Sequence, residues 1–527
     1  MFNHLKHNLH RSCNNFLLSK RVVARLLCTV LAVVTLAGLP SVPAKAAPVA
    51  QGIDVSKWQG PIDWNAVAKS GVSFAFIRVG NLKKGLDEYF YYNMMAAQAA
   101  GIKTGVYIYS YATSVEQAAA EAQFVLNAVQ NVQVSFPIAW DVEDEVQKGL
   151  TPDTLSMMAN TFCALIEAEG YYPIVYANKH WFTTKIGPVF YDKWVAQWSD
   201  KCEVPGAAVW QYSDKGTIPG INGPVDLDYA LKDYSTSIVN TGWVPRKGFL
   251  YYYINYKMQR GWLDLGTAKY YLDPASGKMM TGWLPLADGM YYLQPDGVMA
   301  VGFTTIGQGM YFFNTDGKML TGLQNLNGLT YYFAENGVMY IGFLDLPDGK
   351  RFFTTDGHML TGLQIVANKY YYFDIVTGIM KTGWQVIGDQ TYLFAADGQM
   401  AYGWFTDGVY KYYLSTVDGH RVSGWNTIDG NTYYFDEQGH MLTGAQNIGG
   451  LSFLFNADGA MYKGWFNDGI NTRYYDVDGH MAIGLTTING FVYYFDANGI
   501  MQTGLVDVGG VPCLFDVDGK LITQPVQ

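Results

Sequence analysis

From residue 241 to the end of the chain, a short pattern returns about every 20 residues. It runs as a Gly-aromatic step, a turn, a pair of aromatics, then Asp-Gly or Asn-Gly and usually a Met. Its Gly marks begin at Gly242 and Gly261 and continue through Gly302, Gly322 and Gly342 to Gly484 and Gly504. A fixed period this short requires a solenoid of small units, none able to bury its own apolar face alone. Each unit offers two short aromatic-rich strands between turn residues, as in Thr432-Tyr433-Tyr434-Phe435-Asp436-Glu437-Gln438-Gly439-His440-Met441. One hairpin is marginal by itself, so stacking must bury the aromatics. An all-β hairpin-repeat solenoid of about 14 units of ~20 residues is expected over 236–527. Repeated surfaces hold things; the chemistry belongs in the non-repetitive part before it.

Residues 1–46 differ from the rest. They carry Lys6, Arg11, Lys20, Arg21, Arg25 and Lys45 without an acid, an apolar run from Leu26 to Leu39, and Ala44-Lys45-Ala46. That is the layout of a secretory signal peptide cut after Ala46. The run is shorter than the roughly 20 residues that span a bilayer, and no later segment could span one. The expected product is secreted, extracellular or wall-associated, with no membrane contact. Its 29 remaining Lys and Arg against 45 acids leave a net charge of about −16, which disfavours nucleic acid. Three cysteines remain. They match no disulfide framework or metal-ligand spacing, and at most one pair, Cys163 with Cys202, could close.

Residues 47–235 show no repeat. Strand-like runs, including 72–79, 104–111, 136–142, 173–177, 193–197 and 208–212, alternate with helical stretches. That alternation argues for a parallel sheet with helical crossovers. With eight candidate strands, counting Gly52 to Val55, an α/β fold closed as a (β/α) barrel is expected. Its chemistry would lie at the C-terminal strand ends.

Asp141 and Glu143 end the apolar strand Phe136-Pro137-Ile138-Ala139-Trp140 and, as i and i+2, share a face. Held together, two carboxylates split their pKa values into an acid and a base. The alternative is an exposed acidic turn. Asp54, in Gly52-Ile53-Asp54-Val55-Ser56, ends the first strand or caps the turn after it. Asp226, in Val225-Asp226-Leu227-Asp228-Tyr229, follows the run Val209-Trp210-Gln211-Tyr212 and is otherwise a surface turn. Tyr107, Tyr109 and Tyr111 alternate along one strand and would share a face, where rings suit sugar C–H surfaces. Tyr176 and Trp198 close further strands. His180 stands alone beside Trp181 and reads as a loop residue rather than a metal ligand.

The blocks Gly-Ile-Asp-Val-Ser at 52–56, Phe-Ala-Phe-Ile-Arg at 74–78, Gly-Val-Tyr at 105–107, Asp-x-Glu at 141–143, Trp-Gln-Tyr at 210–212 and Val-Asp-Leu-Asp at 225–228 stand in one order. Residues 50 to 235 thereby resemble family 25 glycoside hydrolases, the lysozyme-type muramidases. The resemblance implies a modified, flattened β/α barrel. It also implies cleavage of the β-1,4 bond between N-acetylmuramic acid and N-acetylglucosamine in peptidoglycan, without cofactor or metal. Glu143 looks like the family's proton donor. Asp141 looks like the partner that positions the substrate N-acetyl group or a water. Asp54 and Asp226 resemble the first- and last-strand acids, with Asp228 a rival for Asp226. Tyr107, Tyr109, Tyr176 and Trp198 are the candidate substrate contacts.

The tail resembles the cell-wall-binding repeats of choline-binding and glucan-binding proteins. Choline-binding members draw on two Trp positions per repeat. Here the first holds Trp243, Trp262, Trp283, Trp384, Trp404, Trp425 or Trp465 in seven units, and the second holds Met290, Thr330, Thr432 or Val492. That departure favours a wall glycan or a teichoic-type polymer over choline as partner. The alternatives are a non-catalytic wall- or glycan-binding surface protein and a hydrolase of chitin-like glycans. An intact Asp54, Asp141, Glu143 and Asp226 set argues against the first.

Overall fold

The structure is a computed structural model that describes residues 48–523; the expected signal peptide lies outside the described residues. The chain forms two compact units. The first reaches Leu284 and takes in Tyr292–Met299, and the second comprises Pro285–Tyr291 and Ala300 onward.

The first unit contains the barrel. Its strands are β1 (Ala50–Val55), β2 (Phe74–Asn81), a two-residue β3 (Gly85–Leu86), β4 (Lys103–Tyr109), β5 (Ile138–Asp141), β6 (Pro173–Asn178), β7 (Asp192–Ala196), β8 (Ala207–Gly216) and β9 (Val225–Ala230). They pair in the order β1-β9-β8-β7-β6-β5-β4-β2, and β1 pairs with β2 to close the ring. Pairing is parallel from β1 through β2 and round to β8, but β9 runs antiparallel to both β8 and β1. This departs from the expected parallel sheet. A parallel return needs a crossover of a dozen or more residues; the chain between β8 and β9 is shorter and turns back as a hairpin.

Among the described residues five α-helices cover the barrel: α1 (Trp64–Lys69), α2 (Phe90–Ala99), α3 (Val115–Ala128), α4 (Pro152–Ala168) and α5 (Lys179–Thr184). Their starts are written locally. Asp63 caps α1, Ser114 accepts from the Gln117 N–H above α3, and Thr151 accepts from the Thr154 N–H with Pro152 opening α4. His180 lies in α5 rather than in a loop, because Asn178 caps that helix through the Trp181 N–H.

Alternation sorts the strand residues into two layers. Ile53, Val55, Ile77, Val106, Ile138 and Trp140 point outward, into the core with Val67, Ala97, Val125 and Phe162 of the helices. Phe74, Phe76, Ala139, Ile174, Tyr176 and Trp194 point inward and fill the barrel with rings. Phe76 stacks on Trp194 at 4.1 Å, and Tyr176 meets the same indole at 4.5 Å. Gly52 faces this packing from β1; a Cβ there would stand 2.3 Å from the Phe74 ring. Cys163 and Cys202 do not pair. Cys163 is buried in α4 with its sulfur turned toward the Ile174 carbonyl, whereas Cys202 follows β7. Among the described residues no helix is long and apolar enough to cross a membrane.

The first hairpins dock on the barrel. Tyr253 donates to the Gly170 carbonyl at 2.7 Å, and Arg260 donates to the Ala168 carbonyl at 3.0 Å, satisfying carbonyls at the C-terminus of α4. Lys247 pairs with Glu167 at 2.8 Å.

Fourteen hairpins follow Asn240 among the described residues. Gly424–Ile428 pairs with Asn431–Phe435 in the register Gly424–Phe435, Trp425–Tyr434, Asn426–Tyr433. The Met of the repeat is the stitch. The N–H of Met461 donates to the carbonyl of Thr432, and that of Met481 to Ser452, one hairpin back. The Met sulfur then covers the turn of the next hairpin: a Cβ on Gly459, whose φ is +84°, would lie 2.3 Å from the Met441 sulfur. Both the left-handed backbone and the close sulfur call for glycine. Phe435, Phe455 and Phe495 are buried at the centre of their units.

Candidate functional site

The outward turn of Ile53 and Val55 leaves Asp54 pointing into the barrel, at the C-terminal end of β1. Because β9 is antiparallel, its first residues stand at that same rim, and Asp226 is in register with Asp54. Asp228 shares the inward face but lies one step deeper, opposite Gly52. It is fully buried and accepts a 2.7 Å hydrogen bond from the Trp194 indole. Asp226, by contrast, is half-buried. The rivalry between them is thus one of depth: Asp226 reaches the opening and Asp228 belongs to the packed floor.

Asp141 ends β5 between Tyr109 of β4 and Tyr176 of β6. It is 4 % exposed, and its Oδ1 accepts no hydrogen bond. Glu143, two residues on, is half-buried. The structure therefore brings Asp54, Asp141, Glu143 and Asp226 to one end of the barrel, close enough to perturb one another. Burial pushes the Asp54 carboxyl well above the usual carboxylate range, and Asp228 and Asp226 push it further. Burial does the same to Asp141, with Glu143 adding to it and Arg78 opposing it. Glu143 is raised by burial and then by Asp226. Asp226 rises to about 6, chiefly by burial and then through Asp214. Acids packed this closely disfavour one another's ionisation, so the rim favours keeping protons on its carboxyls.

The candidate aromatics surround this rim. Tyr107 lies across from Arg78 on β2 and Ala139 on β5. Tyr109 donates to Asp144 Oδ2 at 3.1 Å. Tyr176 donates to Gln211 Oε1 at 3.1 Å, and so does the Trp198 indole at 3.3 Å, although Trp198 is 61 % exposed. Tyr111 leaves the alternation. β4 ends at Tyr109, because Ser110 and the Tyr111 N–H turn instead to the buried carboxylate of Glu121. Two residues absent from the candidate set emerge: Arg78, whose guanidinium stands 5.4 Å from the Tyr109 ring, and Gln211, which donates to Asp54 Oδ2 at 2.8 Å. Inward alternation from Phe76 and from Val209 was the signal that could have found both.

Metal-ligand spacing among the described residues occurs at Asp476, Asp478 and His480, on a hairpin turn far along the tail. There Asp476 Oδ1 already accepts the N–H groups of Asp478 and His480.

The hairpins carry a second kind of surface. Trp404 meets Tyr413 of its own hairpin and Tyr433 of the next, both at 5.0 Å. Trp425 repeats this with Tyr434 and Phe453, and Trp465 with Tyr474 and Tyr493. Where the first position is Leu323, Ala445 or Leu485, the register-equivalent ring of the next hairpin is replaced as well, by Arg351, Arg473 or Cys513. Arg351 is buried against Asp348, with two contacts of 2.7 Å. At these three junctions the first ring and the ring of the next hairpin are thus lost together, although Tyr332 and Tyr494 remain opposite Leu323 and Leu485; Leu363, followed by Tyr392, and Trp384, paired with Leu393, are mixed cases.

An eight-stranded barrel with four acids gathered at its strand ends is built for acid–base chemistry. Residues 53–221 match the glycosyl hydrolases family 25. The uncharacterized protein YegX of Escherichia coli K12 is 35% identical over 188 residues, which are 34% of this chain and 68% of YegX. Lysozyme M1 of Streptomyces globisporus is 30% identical over 193 residues, 33% of this chain and 66% of that enzyme. Choline-binding repeats match at 381–423, 422–445 and 442–484, and putative cell wall binding repeats at 321–339 and 484–501. The crystal structure of choline binding protein F from Streptococcus pneumoniae covers 50% of this chain and 98% of its own, at 23% identity and a TM-score of 0.32. The chain belongs to glycosyl hydrolases family 25: it is a glycoside hydrolase of the lysozyme type, followed by wall-binding repeats.

Proposed function

We propose that this chain cleaves the β-1,4 bond between N-acetylmuramic acid and N-acetylglucosamine of peptidoglycan, as a secreted enzyme held on the wall by its hairpins. The catalytic part is 47–235, and the wall-binding part is 236–527. The observation that carries the reading is Glu143, a carboxyl raised by burial and by Asp226, at a strand end beside Asp141. A raised carboxyl keeps its proton for the leaving oxygen. Asp141, with Oδ1 unengaged, orients the substrate acetamido group or a water. Asp54 and Asp226 supply negative charge toward the anomeric carbon as positive charge develops there. Tyr107, Tyr109, Tyr176 and Trp198 line the sugar path. The half-exposed Trp faces of the hairpin triads stack on a wall glycan or a teichoic-type polymer, rather than enclosing choline. The test is digestion of purified peptidoglycan followed by identification of the new reducing ends. Ends at N-acetylmuramic acid support the assignment; ends at N-acetylglucosamine alone, or none, overturn it.

A further inference from the structure

Gln211 is 3 % exposed, on the inward face of β8, and all three of its side-chain hydrogen bonds go to the rim. Its Oε1 accepts from the phenol of Tyr176 at 3.1 Å and from the indole of Trp198 at 3.3 Å. Its Nε2 donates to Asp54 Oδ2 at 2.8 Å. The Trp198 indole can only donate and an ionised Asp54 can only accept, which leaves the amide one orientation: flipped, it would point its N–H group at the indole N–H and its oxygen at the carboxylate. The N–H is therefore locked toward Asp54. Trp198, the exposed member of the chain, is linked to Asp54 through this single side chain.

We propose that Gln211 is a positioning residue of the hydrolase. It orients the Asp54 carboxylate and ties that orientation to a sugar seated on Trp198. This rests on the reading of Asp54 as a rim acid given above. Around Asp54 stand Asp226 and Asp228 from β9, Asp141 from β5, Tyr107 from β4 and Tyr176 from β6. Arg78 of β2 acts on Asp141 and Tyr107. Asp54 is thus set among acids and phenols, and the Gln211 amide is the neutral donor that favours its ionised form.

The test uses the full chain with Gln211→Met, which keeps the volume and removes both polar ends, and Trp198→Phe, which keeps a ring and removes the N–H. Without the Gln211 donor, Asp54 holds its proton to higher pH. The acid limb of kcat should move up by about one pH unit, with kcat about tenfold lower at pH 5, partial recovery toward pH 8, and KM within about twofold. Trp198→Phe should move the limb in the same direction by less. Trp210→Phe, a neighbour whose indole donates to the Gln197 carbonyl instead, is the packing control. It should lower stability and leave the limb where it is. A Gln211→Met enzyme with an unmoved limb, or one whose loss follows only its folded fraction, overturns the proposal. Independently of turnover, the Asp54 carboxyl can be titrated by carbon NMR and assigned with Asp54→Asn. Its midpoint should rise in Gln211→Met, and an unchanged midpoint overturns the proposal even if peptidoglycan proves to be the wrong substrate.

Discussion

In the barrel, Phe76, Trp194 and Tyr176 pack beneath acids that are buried, crowded and pushed toward their protonated forms. In the hairpins, Trp404 meets Tyr413 and Tyr433 edge to face, but the acids stand in exposed turns. Asp468 there is pulled down to about 2 by the N–H of Asn471 and by Arg473. The barrel brings its acids together by closing β1 on β9, across most of the unit. Beyond the first ones, which dock on α4, the hairpins pack on their neighbours. One region spends its packing energy on holding charges in an unfavourable place, where they can do acid–base work. The other distributes weak, similar surfaces along a line, where they can hold a polymer.

The sharpest test of this division is Glu143→Gln. Hydrolysis should fall by about 10²–10⁴-fold, with retention on walls unchanged, as read by reducing ends and by pull-down. A variant that loses retention along with activity would merge the two regions.

Cooperativity should differ as well. Phe76→Ala removes a fully buried ring at a cost of about 3–5 kcal/mol. Hydrogen exchange should show protection lost across the whole barrel. Phe435→Ala, equally buried, should expose only the flanking hairpins, because a solenoid is stabilised by neighbours.

The line between the regions can be moved. Tyr253, Arg260 and Lys247 engage the end of α4. A fragment ending at 284 should therefore melt several degrees above one ending at 235, about 2–4 °C for each kcal/mol. Equal melting would mean that these contacts add nothing to the barrel.

Acidification should separate the two regions by sign. Asp226 titrates near 6 in the folded barrel, above its ordinary 3.8. Between those values the folded state binds more protons than the unfolded, so barrel stability should rise as pH falls from 7 toward 5. Asp226→Asn should flatten that slope. Asp468 is shifted the other way, so the hairpins should hold steady in this window and weaken only as pH drops below 4 toward 2. Calorimetry showing the barrel transition lower at pH 5 than at pH 7 would contradict this.

The smallest effect belongs to a single triad. Trp425→Ala should weaken wall retention by only about twofold, since neighbouring junctions are nearly independent and avidity comes from their number. Millimolar choline should displace the tail poorly. Complete elution by choline would turn the triads into cation sites.

What the sequence determined by itself is whatever depends on near neighbours. The Gly, aromatic and Met spacing of the tail was legible because most hairpins use each of them at a fixed offset. The helix starts at Ser114 and Thr151 were legible from their caps. The inward turn of Asp141 followed from the outward Ile138 and Trp140. The direction of β9, the depth that separates Asp226 from Asp228, the inward role of Arg78 and the amide bridge of Gln211 were decided only by the tertiary structure. Each depends on which distant strand lies alongside, and β1 beside β9 leaves no local trace in either segment. The docking of the first hairpins on α4 is of the same kind. Their repeat pattern matches that of the later hairpins, and only the free carbonyls of Ala168 and Gly170, brought there by the fold, distinguish what they touch.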